Sequence, residues 1–462
     1  MVFSVSPRIS CILSSVLALT SVASSLTDHL SICESQCSCR HNGTIISCSQ
    51  LDLHNVPHAS LLPGHIQVLN LSHNDIVEVG PFLSSSLKTL SLKSNRIYSL
   101  RPYVFARLFN LEDLDLSRNV MESLDPDAFD GLEMLANLSL EGNKLKQLQH
   151  RVFHRVPNLK RLSLRGNPLK YIEADWFTNL DILEYLDLRG IQAYSLPDDA
   201  FALTHKLSEL DLSENDFEGI PRGLRSARNL AILRINSNPI VTLGVKPLAS
   251  MMHLKEIYAS SMPNLKNVES GTLSRMPLLE VLEISHSPQL MSLRANVFSN
   301  ESFPRKRLIL VNNSLVTLEP FLRWCSSEVL SLEGNPWNCD CSLKWMRDCS
   351  STLNLTCHAP AIHRGKAIGE LQGTDFACSV EYASALSLRT LTVTKFFVVG
   401  SAVVLVLAVL GVVVTYWCRY RSGQTKRFGA VYYLNLQKEA RASRNGYSTA
   451  SKSTDDTELV FT

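Results

Sequence analysis

Between Ile66 and Ile240 the chain spells one eleven-residue pattern eight times: IQVLNLSHNDI (66–76), LKTLSLKSNRI (87–97), LEDLDLSRNVM (111–121), LANLSLEGNKL (135–145), LKRLSLRGNPL (159–169), LEYLDLRGIQA (183–193), LSELDLSENDF (207–217) and LAILRINSNPI (230–240). Weaker copies start at Leu254, at Leu279 and near Leu308, and a last one, VLSLEGNPW, begins at Val329. Twelve copies at spacings of 21 to 26 residues fill more than half of the 462-residue chain. A repeat of that length is one supersecondary unit that cannot bury its own apolar face, so the copies must stack into an array. Within each copy the alternation L-x-L gives a short strand with one face inward. Parallel stacking of those strands buries that face between neighbours.

The fourth copy meets the consensus L-x-x-L-x-L-x-x-N-x-L at Leu135, Leu138, Leu140, Asn143 and Leu145. On these residues the chain resembles the leucine-rich repeat family. The resemblance implies an α/β fold: a horseshoe solenoid with a parallel sheet on its concave face. A second column supports the phase, since Phe105, Phe129, Phe153, Phe177 and Phe201 recur every 24 residues and Leu224, Leu248 and Phe298 take the matching place. Aromatic residues in fixed register behind the strands read as a packed spine rather than a ligand cleft.

The third column is Asn74, Asn95, Asn119, Asn143, Asn167, Asn215, Asn238, Asn313 and Asn335. In the family this side chain turns inward, where an amide both donates to and accepts from the backbone of adjacent turns. Three copies depart from it. Ile191 and Met262 have no such hydrogen bonds to give, and Ser287 replaces them only in part. The ninth and tenth copies also insert a residue, in MPNL and SPQL, so curvature is expected to change and the sheet to become less regular there.

Ten of the twelve cysteines fall in two clusters, Cys33 to Cys48 and Cys325 to Cys378, around a region that has none. Such clusters read as zinc sites in a reducing compartment and as disulfides in an oxidising one. The ends of the chain decide between them. Residues 1–23 carry an early Arg8, the apolar run ISCILSSVLALTSVA and small residues at Ser21 and Ala23, the pattern of a secretory signal that takes Cys11 with it. From Phe396 to Cys418 runs an uncharged 23-residue segment, long enough as a helix for a hydrocarbon core of ~30 Å, so 395–418 reads as a membrane span. Arg419, Arg421, Lys426 and Arg427 follow it, which puts the C-terminus inside. The expectation is a single-pass type I protein of the plasma membrane. Six Asn-x-Ser/Thr acceptors, at Asn42, Asn70, Asn137, Asn300, Asn312 and Asn354, all fall on the outer side.

A solenoid has two open ends where its core would meet water, and atypical terminal units must cover them. CESQCSCRHNGTIISC, within a cap at 33–64, resembles the N-terminal cysteine flank of extracellular members of the family; NPWNCDC with Cys357 and Cys378, in a cap at 336–378, resembles the C-terminal flank. Sequence alone permits three connectivities in each set of four. The resemblance implies Cys33 with Cys39, Cys37 with Cys48, Cys339 with Cys357 and Cys341 with Cys378. Cys325 and Cys349 lie outside those sets and form either a fifth disulfide, the preferred reading, or two buried free thiols. Trp337 and Trp345 are expected to plug the last repeat, with Leu343 and Trp345 on a short capping helix.

Between the caps the repeats occupy 65–335; beyond them come a stalk at 379–394 and, after the span, a tail at 419–462 too short and polar for a signalling domain. The tail offers Cys418 at the membrane edge as an S-palmitoylation site or a passive position, Tyr433 to Leu436 (YLNL) as a Yxx-apolar sorting motif, and STASKSTDDTE as a phosphate acceptor or plain disorder.

Charge and motifs bound the function. With 45 basic against 43 acidic residues the net charge is +2, which gives no polycation for nucleic acid. No phosphate loop, metal-ligand spacing or nucleophile motif stands out, the 13 histidines are dispersed, and no insertion is large enough for a catalytic pocket, so neither an enzyme nor a cofactor is expected. The expected function is recognition of an extracellular or cell-surface protein. Strands ~4.8 Å apart over twelve repeats give a concave sheet roughly 55 Å long, enough for a standard protein interface. The alternative is an auxiliary subunit that associates in cis with a channel or receptor through its membrane helix. The expected contact surface is the concave face of repeats five to eight: Arg161, Arg165, Glu184, Tyr185, Arg189, Glu209, Asp211, Ile232 and Arg234, all expected to point to solvent. Asn70 and Asn137 share that face, so glycans on them would obstruct its N-terminal half.

Overall fold

The computed structural model describes residues 32–33, 37–82, 85–299, 303–320, 329–349, 355–376, 407–417 and 419. Contacts divide the chain into two units, Met1–Ala377 and Cys378–Thr462. The first unit carries a 14-stranded sheet. Its outermost pair is an antiparallel hairpin of β1 (Ser38–Arg40) and β2 (Ile45–Ser47), and everything after it is parallel. One three-residue strand then comes from each repeat: β3 (Val68–Asn70), β4 (Thr89–Ser91), β5 (Asp113–Asp115), β6 (Asn137–Ser139), β7 (Arg161–Ser163), β8 (Tyr185–Asp187), β9 (Glu209–Asp211) and β10 (Ile232–Arg234). The same ladder continues through β12 (Glu256–Tyr258), β14 (Val281–Glu283), β16 (Arg307–Ile309) and β18 (Val329–Ser331). In each strand from β3 to β16 the central residue is buried and faces the core, as the period of two requires. The fold is therefore a parallel-sheet solenoid built of single-repeat turns. Its helical content is slight: among the described residues of this unit, besides Ile32 and Cys33, the helical segments are α1 (Val245–Leu248) and α2 (Lys344–Cys349), the rest of the convex side being turns and 3₁₀ segments.

The two interior columns fall where their chemistry requires. Phe105, Phe129, Phe153, Phe177, Phe201, Leu224, Leu248 and Phe298 are all buried, and Phe82 extends the spine by stacking on Phe105 at 6.1 Å between ring centroids. Each column asparagine is buried and bridges two repeats. Asn143, for example, donates from Nδ2 to the carbonyls of Leu116 (3.1 Å) and Leu140 (3.0 Å), while its Oδ1 accepts from the Met121 amide (3.2 Å). Leu116 O also accepts from Asn119 and Leu140 O from Asn167, so each carbonyl is shared by two column residues, whereas the Met121 amide has Asn143 alone; that obligatory pairing is why so polar a side chain recurs in so apolar an interior.

At the departures other groups take over in part. Beside Ile191, the Asn215 carbonyl oxygen accepts from both Ile191 N (3.1 Å) and Ala193 N (3.0 Å). The Ser287 hydroxyl accepts weakly from Met262 N (3.4 Å) and donates to Ser285 O (3.3 Å). The concave sheet does not become less regular here, contrary to the expectation from sequence: β10, β12, β14 and β16 pair in unbroken register. The change falls instead on the side beyond the asparagine column, where β11 (Thr242–Leu243) pairs with β13 (Asn267–Val268) and β15 (Ser292–Leu293) with β17 (Thr317–Leu318).

Both ends are closed. Cys33 bonds Cys39 and Cys37 bonds Cys48 beneath the hairpin, burying Ile32 and Ile46. At the other end Cys339 bonds Cys357, and Cys341 is also disulfide-bonded. Its expected partner Cys378 lies outside the described residues, as do Cys325 and the side chain of Cys349. Trp337, Leu343 and Met346 are buried against the last repeats, and Trp345 on α2 is partly buried and donates from Nε1 to Leu318 O (3.0 Å).

In the second unit residues 407–417 are helical with exposed apolar side chains. Among the described residues no helix is long and apolar enough to cross a membrane. Most of the span expected at 395–418 lies outside them, together with the signal at 1–23, the acceptors Asn300 and Asn354, Cys418, and the tail motif at Tyr433 and Leu436.

Candidate functional site on the concave sheet

Strand geometry sends two side chains per repeat onto the concave face, so register converts the sequence into two columns. One runs Thr89, Asp113, Asn137, Arg161, Tyr185, Glu209, Ile232, Glu256; the other runs Ser91, Asp115, Ser139, Ser163, Asp187, Asp211, Arg234, Tyr258. Charged and aromatic groups crowd the second half of each column. Hydroxyls and amides dominate the first.

The expected contact residues do not all stand open to solvent. Arg161 is exposed and lays its guanidinium over the Tyr185 ring, 3.9 Å from the centroid. Glu184 precedes β8 and is exposed; Arg165 and Arg189 lie just past their strands. Arg165 reaches Glu141 at 4.0 Å, Arg189 pairs with Glu214, and Arg234 pairs with Glu209. Asp211, however, is buried, and Ile232 is half-buried between Glu209 and Glu256 in register. Both were expected to point to solvent, but each is flanked on both sides in register, Ile232 by Glu209 and Glu256 and Asp211 by Asp187 and Arg234, and strand neighbours that close shield one another. A second stack, Arg234 over Tyr258 at 5.2 Å with the Tyr258 hydroxyl donating to Glu256 (2.8 Å), extends the patch into repeat nine. The expected boundary at repeat eight excluded it.

Electrostatics marks the centre of this patch. Asp187 and Asp211 are register neighbours, both buried. Burial raises the Asp187 carboxyl above the ordinary range and Asp211 adds to this, against the Arg189 amide that donates to it. Burial, with the carboxylates of Asp187, Asp211 and Glu209, pushes the Tyr185 hydroxyl up to about 12. The Arg189–Glu214 hydrogen bond holds Glu214 below its usual value and Arg189 above it. Strand neighbours are ~4.8 Å apart, so these charges act on one another directly.

N-terminal to the patch, β4 to β8 line a recess of ≈ 410 Å³. It exists because Thr89, Ser91, Ser139 and Ser163 are small, while Tyr185 and Arg161 wall its far side. Asn137, an expected glycosylation acceptor, sits in its middle strand and donates from Nδ2 to Asp113. The other described acceptors lie elsewhere: Asn42 in the exposed turn after β1, Asn70 at the end of β3 accepting from Ser72 N (2.9 Å), and Asn312 in the turn after β16 against His286 (3.0 Å).

Comparison with known proteins places this geometry in a class. Residues 85–145 and 133–192 match the family model described as leucine rich repeat. The chain is 33% identical over 125 residues to the rat leucine-rich repeat and fibronectin type-III domain-containing protein 4, covering 25% of this chain and 19% of that protein. Human vasorin is 29% identical over 199 residues (41% and 22%), and the rat leucine-rich repeat transmembrane protein FLRT2 26% identical over 211 residues (39% and 32%). The chain thus spans between a fifth and a third of the length of these relatives. Among solved structures, the Drosophila Toll–Spatzle complex superposes with a TM-score of 0.50 at 21% identity (72% of this chain, 55% of that one), and the mouse RP105/MD-1 complex with 0.53 at 19% (72% and 54%). At such identities the likeness is one of fold, and the fold is a leucine-rich repeat solenoid.

Proposed function

We propose that the chain is a cell-surface recognition protein of the adhesion or receptor type that binds an extracellular protein partner through its concave sheet. The observation that carries this is the pair of arginine-on-tyrosine stacks, Arg161 on Tyr185 and Arg234 on Tyr258, set among ion pairs on one face. Arginine and tyrosine anchors supply a large share of binding energy at protein interfaces, and paired charges around them fix register and partner choice. Relatives named as transmembrane leucine-rich repeat proteins, and structural neighbours solved with Spatzle and MD-1, support a surface protein with a protein ligand. Cysteine-capped ends fit an oxidising compartment. The span at 395–418 would hold the chain in the plasma membrane as a single-pass type I protein, acting by binding and not by catalysis.

The test is capture of surface-labelled proteins by the chain displayed on cells. The double change Tyr185→Ala and Arg234→Glu should weaken capture by about 2 kcal/mol or more, roughly thirty-fold, with surface delivery unchanged. Intact capture by that variant, with loss on altering convex residues, would refute the concave assignment. Exchanging residues 396–418 for an unrelated span separates this reading from association in cis through the helix, because ligand capture should survive the exchange.

A further inference from the structure

We propose that the recess across β4 to β8 seats the chain's own carbohydrate: an N-linked glycan on Asn137 lies in it and covers Tyr185. The inference rests on the cell-surface reading, since only a chain that passes the secretory pathway is glycosylated at such acceptors.

Three observations converge on Asn137. It heads the acceptor Asn137-Leu138-Ser139 and occupies the central strand of the five that line the recess. Its amide nitrogen already donates to Asp113 on one side. A glycosylated amide nitrogen stays planar and keeps one hydrogen, so that bond can persist, and the bond to the sugar then takes the amide's other direction. On the side away from Asp113 the recess continues over β7 and β8, where Arg161 is the register neighbour of Asn137 and Tyr185 that of Arg161, and there the sugar has room to lie.

The lining suits such an occupant. A volume of ≈ 410 Å³ falls within the range of small-molecule sites, roughly 300–1,000 Å³. Across much of the remaining surface, adjacent repeats pair their charges, as in Lys88–Glu112, Arg165–Glu141 and Arg189–Glu214. In the recess, Asp113 and Asp115 on β5 and Arg161 on β7 form no ion pair among the described residues, because β6, which carries Asn137, lies between them. A neutral polyhydroxyl chain donates to carboxylates and accepts from a guanidinium, and so satisfies both signs at once. The Arg234–Tyr258 stack lies outside the recess and stays open to a protein partner, whereas at the Arg161–Tyr185 stack the partner meets the glycan together with the side chains.

The experiment uses the full-length chain from secreting cells. In a native time course with a peptide N-glycosidase, followed by site-resolved mass spectrometry, the Asn137 glycan should leave at least about ten-fold more slowly than that on Asn42, because release must wait for local opening. After denaturation the two rates should converge. Hydroxyl-radical footprinting should show Tyr185 oxidised several-fold faster in Ser139→Ala, which abolishes the acceptor but keeps the Asn137–Asp113 bond, and likewise in Asn137→Gln, with Tyr258 unchanged as the reference. Equal native release rates, a bare Asn137 in a chain glycosylated at Asn42, or an unchanged Tyr185 overturns the proposal. A chain bare at every acceptor overturns the cell-surface reading with it.

Discussion

Repeats one to eight and repeats nine to eleven build the same concave sheet with different cement. In the first group the column residue is asparagine in seven of eight copies, and each amide bridges carbonyls and an amide of adjacent turns. In the second it lapses at Met262 and Ser287, and short parallel strand pairs form on the far side of the turn, from Thr242 to Val268 and from Ser292 to Leu318. There additional backbone bonds tie the turns together, with Glu269 N donating to Leu243 O (3.0 Å) and Lys266 N to Val241 O (3.0 Å), though they join other groups than those the asparagine serves. What the fold demands is that buried backbone groups be paired; which atoms do the pairing is open to change.

The comparison predicts unequal penalties for equivalent changes. Asn143→Met, which writes the repeat-nine residue into repeat four, should cost roughly 2–4 kcal/mol, because the Met121 amide loses its one partner at about 1–3 kcal/mol and the Leu116 and Leu140 carbonyls each lose one of two donors. Ser287→Ala should cost about 1 kcal/mol, its two bonds being long. Urea denaturation measures both. Similar losses at the two sites would mean that the second strand pairs carry none of the stabilisation assigned to them.

How much of this was legible follows from what repeats. The phenylalanine spine and the asparagine column could be read because a buried position admits few residue types and the period exposes them. A third column was missed: the residue before each column position has φ between 54° and 72° in all twelve copies, from His73 to Gly334. Its signal was the glycine at 142, 166, 190 and 334, diluted by His, Ser, Arg, Glu and Asn elsewhere, since a turn can force the left-handed region on those residues at a modest penalty. The recess was invisible for the opposite reason. It arises where Thr89, Ser91, Ser139 and Ser163 are small, and a search for anchors passes over small residues. The partial burial of Ile232 and the Arg234–Tyr258 stack depend on which residues stand side by side across strands, which no single copy records.

A smaller effect probes the second strand pairs directly. The buried Thr272 hydroxyl donates to Glu269 O (2.7 Å) and lies 3.1 Å from Leu243 O, tying the turn after β13 to β11. Thr272→Val keeps the shape and removes the bonds, so a loss of about 1–2 kcal/mol is expected. Hydrogen exchange should quicken at the Glu269 amide and not at Met121 in repeat four. Equal acceleration at both would show that the two regions open as one cooperative unit.

The smallest expected effect concerns repeat six, the one gap in the asparagine column of the first group. Beside Ile191 the turn is held by Arg189, whose amide donates to Asp187 and whose guanidinium pairs with Glu214. The two acids are shifted in opposite senses. Asp187 is raised above its ordinary 3.8 by burial, so its contribution to stability is fully present below 3.8 and is lost as pH rises through the folded value. Glu214 is lowered below 4.5 by its bond to Arg189, so its contribution is present above 4.5 and is lost as pH falls through the folded value. Asp187→Asn retains an acceptor for the Arg189 amide and carries no charge to desolvate. Its melting temperature at neutral pH should therefore exceed that of the parent chain, and the gap should close as pH falls toward 3.8. Glu214→Gln should melt slightly below the parent at neutral pH, only slightly because the pair is largely solvent-screened, and that gap should also close in acid. If both variants shifted in the same direction, Arg189 would be holding the turn by packing alone, and the charges around Ile191 would not substitute for the missing asparagine.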